Sequence, residues 1–124
     1  MGRSKIVAIV GEAAVRTRLE HDTEASTEAT ALAVRYLLQL LADAAPGNTL
    51  EVRVPPFGAV QCVEGPRHSR GTPPNVIEMD AETWLSLATG TLAWSRALAD
   101  RRVTASGSRA NLDGILPLEW NKRE

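Results

Sequence analysis

At 124 residues, 44% of them hydrophobic and 23% charged, the chain has the length and composition of one folded domain with its own core. A formal net charge of −1 excludes a whole-molecule field that would hold nucleic acid or an anionic membrane surface. One cysteine, Cys62, excludes an internal disulfide and points to a reducing, cytoplasmic compartment.

From the start of the chain, residues 4–20 read as a helix, part of a helical extension over residues 1–22, although Lys5 to Val10 alone would also suit a strand. The apolar run from Ile6 to Val10 is broken by Glu12, Arg16, Arg18 and Glu20, too early for a signal peptide. No stretch approaches the ~20 apolar residues of a membrane span, so integral membrane association is not expected. Residues 21–26 are polar and rich in capping side chains. Ser26 then opens the strongest helix. Its apolar positions are Ala29, Leu32, Ala33, Tyr36, Leu37, Leu40 and Leu41, spaced by three and four, and Val34 and Leu38 widen the stripe. A stripe this wide needs more than one neighbour to cover it. Pro46 and Gly47 end the helix.

Residues 50–55 alternate Leu50, Val52 and Val54 with Glu51 and Arg53, the pattern of a strand with one wet face. Pro55 and Pro56 limit it, because proline has no N–H for a ladder. Phe57 and Gly58 reverse the chain into a second strand at 59–63, which predicts an antiparallel hairpin. A loop at 64–74 carries three prolines and two glycines, and a third strand follows at 75–79. Asp80 or Thr83 caps the next helix, which buries Trp84, Leu85, Leu87 and Ala88 and stops at Gly90. A second short helix at 92–100 carries Leu92, Trp94, Ala97 and Leu98. Val103, Ala105 and Gly107 alternate with Thr104 and Ser106 as a last strand. A turn at 108–116 and a tail at 117–124 complete the chain. The order predicts a single α+β domain over residues 1–124, with a largely antiparallel sheet covered by helices on one face.

Several runs are similar to a known family. Trp84-Leu85-Ser86-Leu87-Ala88-Thr89-Gly90, then 97–100, 103–107 and 112–116, resembles the carboxy-terminal half of sterol carrier protein domains. The run Glu51-Val52-Arg53-Val54-Pro55-Pro56-Phe57-Gly58-Ala59-Val60-Gln61 and the run Arg70-Gly71-Thr72-Pro73-Pro74-Asn75-Val76 resemble more narrowly its short actinobacterial branch of bacterial orthologues. The resemblance implies a sterol-carrier-type sandwich of about five strands, helices on one face, a last leucine-bearing helix, and an apolar tunnel between the layers. It also implies binding of fatty acyl chains, acyl-CoA or sterols without covalent chemistry, and related domains accompany thiol-dependent isomerases.

The candidate ligand wall is Tyr36, Leu40, Trp84, Leu87, Trp94 and Leu98, since a pocket between helix and sheet is lined by residues that otherwise form core. Arg67, His68 and Arg70 are candidate contacts for a carboxylate or phosphate head group, because guanidinium groups bind such anions bidentately. A solvated loop or a dimer contact would use the same residues. No catalytic residue is assigned. Cys62 sits inside a strand without a basic neighbour to activate it, and there is no nucleophile elbow, phosphate loop or dinucleotide fingerprint. No metal or cofactor is expected, since two histidines and one cysteine far apart cannot close a zinc site. Glu78 and Asp80 could pair as acid and base, but helix capping accounts for Asp80 better. The reading is therefore a non-enzymatic carrier of an apolar small molecule, as a candidate homodimer. The rival readings are an interaction module with a closed core and an accessory domain to an isomerase.

Overall fold

The computed structural model describes residues 5–21, 24–65 and 75–121. Within them lie α1 (Ala8–His21), α2 (Thr27–Ala44), β1 (Leu50–Val54), β2 (Gly58–Cys62), β3 (Asn75–Met79), α3 (Ala81–Thr89), α4 (Trp94–Ala99) and β4 (Val103–Ser106). The strands form one sheet in the order β2-β1-β3-β4. β1 and β2 make the antiparallel hairpin, with Val52 opposite Val60. β1 runs parallel to β3, and β3 antiparallel to β4. The α+β class with helices over one face therefore holds, with four strands among the described residues.

Local chemistry sets the helix ends. The Ser26 hydroxyl accepts from the Ala29 N–H at 3.0 Å and starts α2. The Asp80 carboxylate accepts from the Thr83 N–H at 2.8 Å and starts α3. That bond holds the Asp80 carboxyl below the usual aspartate range, against the opposing pull of partial burial. Gly90 stops α3 at φ +96°, in the left-handed region that a side chain disfavours. α4 is shorter than its sequence pattern, because Leu92 belongs to the turn that bonds back to the Ser86 carbonyl.

The core lies between the sheet and α2, α3 and α4. Leu50, Val52 and Val54 of β1 point into it, as do Ile77 and Met79 of β3. Leu37, Leu38, Leu41, Trp84 and Leu87 meet them from the helices. β4 departs from its predicted alternation: Val103 is buried but Ala105 is exposed, because at this outermost strand helical cover ends beyond Val103. Asn75 ties the sheet to its surroundings, donating to the Thr49 carbonyl and accepting from the Arg109 N–H. Residues 108–121 form turns rather than the last helix that the resemblance implies. They still dock, with Leu112 and Leu118 buried and the Leu118 N–H bonded to the Ala88 carbonyl.

α1 begins at Ala8 rather than near residue 4. The Gln39 side chain explains this: its amide oxygen accepts from the Ile6 N–H and its nitrogen donates to the Ile6 carbonyl, both at 2.9 Å. Both backbone groups of Ile6 are thus satisfied outside a helix. α1 lies directly on α2. A Cβ at Gly11 would stand 2.2 Å from the Tyr36 ring, so only glycine permits this approach. Arg18 binds the helices from within: it donates to the Thr30 hydroxyl at 3.0 Å and pairs with Glu82 of α3.

Candidate functional site

The six expected wall residues fall into three settings. Tyr36, Trp84, Leu87 and Trp94 are buried and belong to one continuous core. Trp84 has no exposed surface, and its indole N–H donates to the Val34 carbonyl at 3.3 Å. Leu40 is half-buried and lines a separate pocket of about 410 Å³ with Ile115 and Pro117. Leu98 is 42% exposed at the end of α4. Arg67, His68 and Arg70 lie outside the described residues.

A groove opens elsewhere, between α2, β2 and the clamped segment before α1. It encloses about 560 Å³. Leu32, Leu38 and Ala42 form its helical side, Gly58, Ala59 and Val60 its strand side, and Ile6 one end. Its rim is polar. Lys5 and Asp43 pair at 3.6 Å, and both are well exposed. Arg35 reaches down to donate to the Phe57 carbonyl at 2.8 Å. Among the described residues it pairs with no carboxylate. α2 is amphipathic in two directions, which is why one helix serves both sites. Leu37 and Leu41 face the core, while Leu32, Arg35, Gln39 and Ala42 follow each other at three- and four-residue intervals along the groove.

The described residues outside the groove offer little for covalent chemistry. Cys62 is fully buried, and burial pushes its thiol up to about 11, away from the reactive thiolate. Burial also raises the Tyr36 phenol, with Glu12 and Asp43 adding to the effect. Among the described residues no group of three His, Cys, Asp or Glu side chains could hold a metal ion. None of the described helices is long and apolar enough to cross a membrane.

Among the described residues a four-stranded mixed sheet under a helical layer, with an apolar groove where α2 meets an edge strand, makes a small α+β domain. The chain belongs to the family described as bacterial SCP ortholog, SCP standing for sterol carrier protein, whose model matches residues 26–118. The match begins at the Ser26 cap and ends at docked Leu118, so it takes in the whole sheet and leaves out α1. A comparison with curated proteins returns no match.

The groove had one partial signal in the sequence. Leu32 and Leu38 stood in the apolar stripe, but nothing distinguished them from Leu37 and Leu41. Arg35, Gln39 and Asp43 lie outside that stripe. Their bonds to Phe57, Ile6 and Lys5 respectively arise from tertiary packing, which carries no period.

Proposed function

We propose that this domain binds and carries an apolar small molecule with one polar end, a fatty acyl chain or a sterol-like lipid, in the groove between α2 and β2. The observation that carries the reading is the groove itself: about 560 Å³, within the range of small-ligand sites, apolar inside and polar at the rim. Membership of the sterol-carrier-like family supports it. Leu32, Leu38, Ala42 and Val60 take the hydrocarbon. Lys5 at the rim orients the polar end. Gln39 holds Ile6 as the end wall.

The seam of Tyr36, Trp84, Leu87 and Trp94, with Leu40 and Leu98 at its margins, is a proposed deeper extension. A ligand reaching it must part α3 or α4 from the sheet, since Trp84 is already fully enclosed. The domain acts without covalent chemistry, in a reducing cytoplasm. The buried, high-pKa Cys62 favours that over a thiol-dependent activity.

A fluorescent fatty-acid probe tests the reading. Wild type binds it saturably, and unlabelled oleate displaces it. Val60→Asp and Leu32→Asp, checked for folding by circular dichroism, lose at least about tenfold in affinity, because a charge would be placed against the alkyl chain. No saturable binding, or binding indifferent to both substitutions, contradicts the proposal.

A further inference from the structure

β2 is an outer strand of the sheet, paired on one side with β1. Among the described residues no strand pairs with its other side. Alternate N–H and C=O groups along that side therefore form a template for another strand. Edge strands normally carry protection: a lysine, a proline or an inward charge. Gly58-Ala59-Val60-Gln61-Cys62 has none of these.

We propose that a second copy of this chain docks along this edge, β2 against β2 in antiparallel order about a two-fold axis at Val60. In that register Gly58 meets Cys62 of the second copy and Ala59 meets its Gln61. All are small or uncharged, so nothing opposes close approach.

The charges beside the strand choose this occupant. α2 runs in the same direction as β2. Arg35 holds the carbonyl of Phe57 just before the strand, and the Ala45 carbonyl after α2 accepts from the Val63 N–H just after it. A two-fold axis at Val60 therefore brings Arg35 of each copy level, along the strand, with Asp43 of the other. Among the described residues exposed Arg35 pairs with no carboxylate, and Asp43 pairs with exposed Lys5 alone. The surface is self-complementary: each copy offers a cation at one end of the strand and an anion at the other.

The second strand continues the sheet in its own plane beneath α2, so it walls the open side of the groove instead of filling it. Val60 and Val52 share the covered side of the sheet, and the pair Val60–Val60 across the axis extends that apolar floor.

Sedimentation velocity of the whole chain, without lipid, tests the inference independently of the carrier reading. The expected result is a reversible dimer whose population grows with concentration from low to high micromolar. Arg35→Asp and Asp43→Arg, each alone, weaken it by at least about tenfold, because like charges then face each other across the axis. The double swap Arg35→Asp/Asp43→Arg restores it. Ala59→Lys, which places a lysine on the edge, weakens it as well. Should Arg35→Asp disturb the hairpin through its lost bond to Phe57, Asp43→Arg and Ala59→Lys still decide the matter. A monomer throughout, whether or not it accepts an added strand-forming peptide, overturns the proposal. So does a dimer indifferent to these substitutions, or one that the double swap fails to restore.

Discussion

The two faces of α2 make opposite use of the same kind of residue. On its inner face Leu37 and Leu41 pack with Trp84 and Leu87 into a seam with almost no exposed surface. On its outer face half-buried Leu32 and Ala42 line an open groove that ends at an unprotected strand edge, while buried Leu38 beneath it belongs to the core. The inner face holds the fold together, since burying each large side chain contributes about 1.5–3 kcal/mol. The outer face leaves part of that stabilisation unrealised, and a ligand or a second copy can supply it. The contrast predicts that inner-face substitutions change stability, while outer-face ones change association and leave stability almost untouched.

The largest effect expected is at Trp84. Trp84→Ala removes a fully enclosed ring and its bond to the Val34 carbonyl, and should cost about 3–5 kcal/mol in urea denaturation. A loss under about 1 kcal/mol would mean that the seam is not the structural centre. Gly11→Ala comes next and tests the sign of a propensity rule. In an ordinary helix interior this change would gain about 1 kcal/mol. Here the new methyl group meets the Tyr36 ring, so a loss of about 1–3 kcal/mol is expected, read as a lower thermal midpoint. Glu82→Gln removes the Glu82 carboxylate from buried Arg18. Because Glu82 itself is half exposed, the loss should be nearer about 1 kcal/mol than the value for a fully buried pair.

The smallest effect depends on pH. The carboxyl of Asp80 is depressed in the folded state, chiefly by the Thr83 N–H. Its capping contribution is therefore fully present above the unfolded aspartate pKa of about 3.9, and is lost as pH falls through the lower folded value. Asp80→Ala should cost about 1 kcal/mol at neutral pH. The gap between wild type and variant should shrink in acid. A gap constant down to about pH 2 would show that the cap does not act through its charge.

Wherever a single side chain or a short period specifies the backbone, the sequence was sufficient. The Ser26 and Asp80 caps, the Gly90 stop, the 75–79 strand and the hairpin around Pro55 and Pro56 were all legible in this way. α1 was harder, because its buried side includes Gly11, Glu12 and Arg18 and shows no apolar stripe. Its true start was hidden because the Gln39 clamp on Ile6 spans 33 residues. The candidate site was less legible than the fold. Tryptophans and leucines advertise burial, but spacing alone does not reveal which apolar residues will be left facing an opening. The wet residues Arg35, Gln39 and Asp43 became informative only once α2 was laid along β2.

Backbone amide and indole spectra of labelled protein during a fatty-acid titration test the division between groove and seam most directly. The account predicts that resonances of residues 32–43 and 58–60 shift together and saturate, while the Trp84 indole N–H, bonded to Val34, stays in place. Shifts centred on the Trp84 indole with the β2 resonances unmoved would contradict it.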